Sequence, residues 1–471
     1  MMGALQFIRR GELVQIAQFA PDQTLLDYLR LSEKSKGTKE GCNEGDCGAC
    51  TVVLGTPHHG GVRYQAVNAC ILLLGQIHGK ELVTVDDLAR GGVLHPVQQA
   101  MVDAHASQCG FCTPGFVMSL FSLKHEGRKV SRTDVVEQIA GNLCRCTGYR
   151  PIVDAGLAAC NTPADYWHVA QAETCAKLEA IQGDLFVGDT HCFFAAPASA
   201  DALAECCADH PTATIVSGNT DVGLWITKQM RAQPRIIYTG RANGFADIKE
   251  HDDHISIGAG ATYADAEAIL VALAPDLGGL LKRIGSRQVR ASGTIGGNIA
   301  NGSPIGDMPP ALIALGATLH LRGGPYYHHM PMEEFFVAYG QQKRKPGELV
   351  WRIDIPKPKP NQIFRAYKIS KRFDQDISAL MAAFLLTVED SVIQDARIAF
   401  GGMAATPKRA SKTELALKGK TLTEAQHAAL DDFTPLSDMR ASADYRNDVA
   451  NALLKKALLE AVGAANTRVL A

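Results

Sequence analysis

Eight cysteines in the first third of the chain restrict its fold more than any other feature. Cys42, Cys47 and Cys50 stand with four and then two residues between them, and Cys70 follows at a distance. Two closer pairs come later, Cys109 with Cys112 and Cys144 with Cys146. The whole chain of 471 residues carries thirteen cysteines, an odd number. Met1 to Arg10 has no basic region followed by a long apolar stretch, so it reads as the start of a strand and not as an export signal. Thiols in such a chain are expected to be reduced and available to metals, not paired in disulfides.

A chain of this length can hold about three or four domains, each with its own core. A hydrophobic fraction of 46% and a charged fraction of 20% describe an ordinary globular protein. The formal net charge of -2 gives no reason to expect nucleic acid or an anionic membrane as partner. No apolar run approaches the roughly 18 residues of a membrane span, and Cys70-Ile71-Leu72-Leu73-Leu74 is core-sized. The expected location is the cytoplasm.

Residues 4 to 19 alternate apolar and polar around Arg9-Arg10-Gly11-Glu12, which predicts a hairpin, and Thr24 to Arg30 has helical spacing. The loop from Gly41 to Cys50 leads into a strand at Thr51 to Leu54, and Cys70 follows another strand-like run beginning at Val62. Cys-x4-Cys-x2-Cys with one remote cysteine is the spacing of plant-type [2Fe–2S] ferredoxins. Two bridged irons need four thiolates, three of them supplied by one loop wrapped over the cluster. Gly41, Gly45 and Gly48 let that loop fold tightly and turn N–H groups toward the sulfurs. Zinc ribbons, in contrast, pair two short-spaced dyads.

From about residue 85 the period becomes helical. His95 to Ala106, Pro114 to His125, Ser131 to Ile139 and Pro151 to Cys160 read as four short helices. Pro114 and Pro151 fall in first turns and Ser131 is placed as an N-cap. Cys109 and Cys112 precede the second helix, Cys144 and Cys146 the fourth, where free N–H groups and the helix dipole favour thiolates. Taken alone, this Cys-x2-Cys with Cys-x-Cys would suit zinc as well as a second [2Fe–2S] centre. A zinc-binding scaffold is therefore the rival reading from another class.

With Gln108-Cys109-Gly110-Phe111-Cys112-Thr113-Pro114-Gly115 and Cys144-Arg145-Cys146-Thr147-Gly148-Tyr149-Arg150-Pro151 both present, the region resembles the iron–sulfur part of the molybdenum hydroxylases. That family includes xanthine dehydrogenase, aldehyde oxidase and carbon monoxide dehydrogenase. The resemblance implies a β-grasp ferredoxin domain over 1–84 and a four-helix [2Fe–2S] domain over 85–160. It also implies that Gln108 and Cys146 face a molybdopterin cofactor carried by another polypeptide.

Residues 161–187 lack strong periodicity apart from a short helix expected near Ala176 to Ile181, and read as a linker. From about 188 short strands and helices alternate, as in α/β folds. Thr214 to Gly223 reads as a strand running into a Gly-Asn-Thr turn, and Gly293 to Asp307 is glycine-rich throughout. Each could be a plain turn or a place where backbone N–H groups meet phosphate oxygens. Neither is G-x-G-x-x-G after a strand, and no G-x-x-x-x-G-K-[ST] occurs, so Rossmann and P-loop readings lose their support.

The resemblance extends to both stretches. It implies FAD contacts from Ile215, Val216, Ser217, Gly218, Asn219, Thr220, Asp221 and Val222, and from Thr294, Gly297, Asn298, Ser303 and Asp307. It adds Lys368, Val350 and Ile284. The implied fold class is multidomain α+β: the β-grasp and helical cluster domains, a two-part α/β FAD-binding domain (PCMH-type) over 188–360, and an α+β C-terminal flavoprotein domain over 361–471. Pro356-Lys357-Pro358-Lys359-Pro360 reads as a stiff connector. A closing helix with Leu453, Leu454, Ala457, Leu458 and Val462 on one face is expected in the core. His58-His59 and His328-His329 are expected in solvated turns, and Cys160, Cys175, Cys192, Cys206 and Cys207 fit no ligand pattern.

The order cluster, cluster, flavin, C-terminal domain is similar to that of the smaller subunit of bacterial two-subunit xanthine dehydrogenases. The resemblance implies that the two [2Fe–2S] clusters and FAD carry electrons from a molybdopterin-binding large subunit to NAD+, in an assembly of two small and two large subunits. A sister hydroxylase acting on an aldehyde, N-heterocycle or thioester is the alternative.

Overall fold

The structure, a computed structural model, describes residues 3–463. Two compact units emerge. Of the described residues, one holds 3–206 with 212–243 and 285–293, and the other holds 207–211, 244–284 and 294–463.

In the first unit β1 (Leu5–Arg9), β2 (Glu12–Ile16), β3 (Thr51–His58), β4 (Gly61–Asn68) and β5 (Glu81–Val83) form one sheet in the order β2-β1-β5-β3-β4. The β1–β2 hairpin turns at Arg10 and Gly11, both at positive φ, as its twist requires. β1 lies parallel to β5, and the remaining pairs run antiparallel. Leu25, Leu26 and Leu29, from the helical segment Leu25–Ser32, are buried against Phe7, Val52 and Leu74. This mixed sheet with its short crossing helix is the expected β-grasp.

The four expected helices span Pro96–Asp103, Thr113–Lys124, Arg132–Ile139 and Arg150–Cys160. Ser131 caps the third through its side chain, and each of the other three has proline in its first turn. Thr113–Lys124 is buried all round from Gly115 to Lys124, which makes it the central rod of the bundle. Phe116 and Phe121 share one core with Val53, Tyr64 and Ala66 of the ferredoxin sheet.

The stretch read as a linker is more structured than expected. A helix of about four turns, Tyr166–Glu179, replaces the short one placed near Ala176 to Ile181. Asp165 starts it by accepting from the Trp167 and His168 amides, and Trp167, Cys175 and Leu178 bury one narrow face. Polar residues around so narrow a face hid its period. β6 (Leu185–Gly188), β7 (Phe193–Ala196), β8 (Thr214–Val216) and β9 (Arg235–Tyr238) then form a sheet in the order β6-β7-β9-β8. Phe194, Val216, Ile236 and Tyr238 share a core with Leu5 and Phe7.

The second unit begins with β10 (Ile248–Glu250), β11 (His254–Gly258), β12 (Thr318–Gly323), β13 (Tyr326–Pro331), the hairpin β14 (Phe336–Ala338) with β15 (Gln341–Gln342), and β16 (Leu349–Pro356). Its sheet runs β10-β11-β16-β12-β13, with the helix Met308–Leu315 fully buried beside it. A meander of β17 (Gln362–Ile369), β18 (Leu380–Glu389), β19 (Val392–Gly401) and β20 (Lys408–Arg409) packs against the helix Ala443–Ala461. Leu453, Leu454, Ala457 and Leu458 are buried as expected, but Val462 lies past the helix end and is exposed.

His328 and His329 also depart from expectation: they sit inside strand β13, not in a turn. Neighbouring strand residues face opposite sides. His329 accordingly approaches His320 while His328 reaches the Glu348 carboxylate at 3.2 Å. Among the described residues no helix is long and apolar enough to cross a membrane.

Candidate cofactor sites

The first thiol set gathers at the edge of the β-grasp sheet. Cys50 immediately precedes β3 and Cys70 follows β4, so the antiparallel pairing of these strands returns the remote cysteine to the loop. The Cys42 thiol meets those of Cys47 and Cys70, and Cys70 in turn meets Cys50. Backbone amides converge on the sulfurs: Asp46 and Cys47 donate to Cys42 Sγ at 3.4 and 3.3 Å, and Cys42 donates to Cys47 Sγ at 3.3 Å. Hydrogen bonds from Cys47 and Cys70 hold the Cys42 thiol well below its ordinary range, while the same contacts push Cys47 and Cys70 up. Gly48 has positive φ, and a Cβ there would run into the Gly141 carbonyl, so only glycine closes this loop. Gly41 serves a different purpose: its missing side chain leaves room for Cys47 Sγ.

The second set lies at helix starts. Cys112 immediately precedes Thr113–Lys124, without a side-chain hydrogen bond to its first turn, and Cys144 and Cys146 precede Arg150–Cys160. Cys146 Sγ lies 3.7 Å from Cys109 Sγ, and the thiols of Cys112 and Cys144 meet each other. The Cys144 thiol is lowered to about 7. Burial opposes this, but hydrogen bonds from Thr147 and the Cys146 amide outweigh it. Burial, together with Cys144, raises Cys112 to about 12. Gln108 Nε2 donates to the Cys146 carbonyl at 3.1 Å on the exposed side of the set.

The spacing of these sulfurs separates two metals. A tetrahedral zinc with Zn–S near 2.3 Å would hold its sulfurs about 3.8 Å apart, all mutually close. Among the described residues no three cysteine sulfurs lie within 4.8 Å of one another. Each set is instead a succession of pairs, which suits two bridged irons sharing four thiolates. The residues present fit a [2Fe–2S] group in both places.

The two sets are joined. The Leu143 amide donates to the Cys47 carbonyl at 2.9 Å. Asn142 Nδ2 donates to the Gly48 carbonyl at 3.0 Å and to Thr51 Oγ1 at 3.2 Å. Ser119 Oγ and Gln288 Nε2 donate to Asn142 Oδ1 at 2.6 and 3.0 Å.

The flavin candidates are distributed over both units. In the first, Ser217 to Asp221 turn between β8 and the helix Val222–Thr227. Ser217 Oγ accepts from Thr239 Oγ1 at 2.9 Å, and Asn219 Nδ2 donates to the Ile71 carbonyl at 2.6 Å. Asn219 has φ of 59°, and its Oδ1 is buried with no partner. A Cβ on Gly218 would collide with the Ser292 carbonyl.

In the second unit the Gly293 to Asp307 stretch is more ordered than a turn. Thr294 caps the helix Ile295–Asn301 by accepting from the Gly297 amide at 3.0 Å. Lys368 and Asp307, two of the expected residues, meet as a buried ion pair at 2.5 Å. Ser378 Oγ donates to the other Asp307 oxygen at 2.5 Å. Arg283 holds the Lys368 carbonyl at 2.6 Å and Ser370 Oγ at 2.8 Å. Asn298 Oδ1 and the Tyr263 hydroxyl are buried without partners. Such orphaned atoms fit a cradle completed by a polar ligand. Val350 is buried in β16 and Ile284 is half-buried. Tyr263, Ser378 and Arg283 were not foreseen, because nothing local marks them.

One further group has metal-ligand chemistry. His125, Asp165 and His168 offer atoms within 4.8 Å of one another, and His95 Nε2 lies 2.8 Å from Asp165 Oδ2. The His125 and His168 rings are stacked at 4.2 Å. His125 Nδ1 also pairs with the Phe121 carbonyl at 2.7 Å. This group anchors the N-terminus of Tyr166–Glu179.

Models of four families match the chain in order. They are the 2Fe-2S iron-sulfur cluster binding domain at 11–74, the [2Fe-2S] binding domain at 84–157, the FAD binding domain in molybdopterin dehydrogenase at 189–358, and the CO dehydrogenase flavoprotein C-terminal domain at 365–461. The chain belongs to the molybdenum hydroxylase family, as its iron–sulfur and flavin part. It is 32% identical to the xanthine dehydrogenase of Drosophila pseudoobscura pseudoobscura over 87% of its own length, and 32% identical to that of Emericella nidulans over 89%. In both cases it spans 35% of the relative. A solved carbon monoxide dehydrogenase of Hydrogenophaga pseudoflava is 26% identical with a TM-score of 0.54, covering 57% of this chain and 96% of that one. The chain thus spans about a third of the curated relatives it matches. Within the family it is an oxidoreductase part with two [2Fe–2S] domains and one FAD-binding domain.

Proposed function

We propose that this chain is the electron-transfer subunit of a xanthine dehydrogenase. Cys109, Cys112, Cys144 and Cys146 hold one [2Fe–2S] cluster, and Cys42, Cys47, Cys50 and Cys70 hold the other. The stretches Ile215 to Val222 and Thr294 to Asp307, with Lys368, hold FAD. When bound, these groups supply electron transfer from a molybdopterin-binding partner subunit, which hydroxylates hypoxanthine or xanthine, to NAD+.

The observation that carries this reading is the single hydrogen bond from the Leu143 amide to the Cys47 carbonyl, which links a residue beside one thiol set to a ligand of the other. Gln108, Cys109 and Cys146 are exposed, and Phe111 and Leu143 beside them are half exposed apolar side chains. Such a surface suits a partner chain that brings its cofactor to this cluster, in an assembly of two small and two large subunits. The xanthine reading rests on the names of the curated relatives. The carbon monoxide dehydrogenase likeness favours a second reading, a sister hydroxylase with another substrate.

Co-expression with the molybdopterin subunit followed by assay with xanthine and NAD+ tests the choice. Urate formation with NADH supports it, and turnover of an aldehyde or carbon monoxide but not xanthine sinks it. Metal analysis tests the cluster reading separately: zinc without iron, labile sulfide or flavin absorbance would overturn it.

A further inference from the structure

A cation from the flavin part of the first unit reaches the loop of the first thiol set. Lys228 ends the helix Val222–Thr227, and its Nζ donates to the Cys42 carbonyl at 2.5 Å. Glu44, in the same loop, lies 3.4 Å from that ammonium. At the other end of this helix is the turn Ser217 to Asp221, whose Asn219 donates to the carbonyl of Ile71, the residue after Cys70. The turn before this helix and the residue that ends it therefore reach the backbone at two of the four cysteines, beside Cys70 and at Cys42.

We propose that Lys228 is a positioning residue that raises the reduction potential of the cluster held by Cys42, Cys47, Cys50 and Cys70. The inference rests on the reading that these cysteines hold a [2Fe–2S] group.

A cluster ligated by four thiolates is already anionic, and reduction adds one more negative charge. A fixed positive charge beside a ligand favours the reduced form by Coulomb attraction. Outer contacts to the ligands are among the levers that set such potentials. The amide donors to Cys42 and Cys47 belong to the loop itself and accompany any sequence that folds this way. Lys228 comes from outside the loop, and its side chain adds a full charge to their partial ones. That side chain is 42% exposed and faces Glu44, so water and the carboxylate both reduce its effect. The shift is therefore expected to be modest and to depend on Glu44. A higher potential at this cluster would draw the electron to the loop that is tied to the candidate flavin turn.

The test is an EPR-monitored redox titration of the full-length chain carrying its clusters and flavin. The two signals are assigned with Cys47→Ala and Cys112→Ala variants, each of which removes one. Lys228→Gln should lower the midpoint of the Cys42 cluster, leave the other midpoint in place and retain the wild-type iron content. Lys228→Arg, which keeps the charge, should restore most of the shift. Glu44→Gln, which unmasks the ammonium, should move the same midpoint upward. An unchanged midpoint in Lys228→Gln with iron retained overturns the proposal. If that variant loses iron, Glu44→Gln decides, and an unchanged or lowered midpoint there overturns it as well. Wild-type chain purified without iron and labile sulfide would instead overturn the cluster reading beneath it.

Discussion

The amide of Leu143 donates to the carbonyl of Cys47 at 2.9 Å, so the residue before Cys144 is hydrogen-bonded to a member of the other thiol set. Asn142 strengthens this joint. Its side chain is buried and engages Gly48, Thr51, Ser119 and Gln288 at once. Asn142→Ala removes these four side-chain hydrogen bonds, while Thr51 still donates to the Gly48 carbonyl and Ser119 Oγ still accepts from Gln288 Nε2. A lost hydrogen bond costs about 0.5–1.5 kcal/mol. A drop in urea-unfolding stability of that order is expected, together with reduced iron loading of both sets. Unchanged stability would mean that the joint is held by the backbone bond alone.

The gathering of the eight thiols into two sets was readable from sequence because their spacing brings each set together at loop and helix ends. The four helices were readable because prolines and Ser131 mark their starts. Asn142, Gln288 and Lys228 were not, since each acts on residues between 23 and 186 positions away and no local pattern records such a contact. The helix Tyr166–Glu179 escaped for another reason. Its start depends on Asp165, whose role shows only when His95 and His125 are seen to surround it. In the flavin stretches, residue types pointed to phosphate contacts or plain turns alike. The pairing of Lys368 with Asp307 appears only in the folded chain.

That pair makes a prediction which separates stability from binding. Lys368 is buried beside Asp307, and removing one member of such a pair leaves an uncompensated charge, at a cost of about 3–5 kcal/mol. Lys368→Met should lower the melting temperature and the bound flavin together. Adding Asp307→Asn removes the stranded charge and should recover part of the stability without restoring flavin content. Recovery of both would assign the pair a purely structural role.

Glu81 predicts a pH dependence. It is buried in β5 and accepts from the Tyr64 hydroxyl at 2.9 Å. Burial raises its carboxyl to about 7 from the usual 4.5, and the Tyr64 bond only partly opposes this. Between those values the folded protein keeps the proton while the unfolded chain has lost it. Stability from this group is therefore present below 4.5 and falls as pH rises to about 7, by a total of about 3 kcal/mol. Glu81→Gln keeps an acceptor for Tyr64 and removes the titration. Denaturant unfolding between pH 5 and 8 should show a gain for the variant that grows toward pH 7 and then levels off. A constant offset would place the cause elsewhere.

The remaining cysteines predict a contrast with the ligand candidates. Cys160 is buried at the end of Arg150–Cys160, donates weakly to the Leu120 carbonyl, and is raised to about 12 by burial. A thiol held protonated in an apolar core neither attacks an alkylating agent nor ligates iron. Iodoacetamide at pH 8 should modify the exposed Cys192 of the folded chain and leave Cys160 intact until denaturant is added. Cys160→Ala should keep the full iron content at a small cost in stability from the lost packing. Cys112→Ala, also a single thiol lost from the helical domain, should remove the iron of one cluster while the other remains. Iron measured in the two variants against wild type decides the point, because equal losses would remove the distinction between ligand and core cysteines.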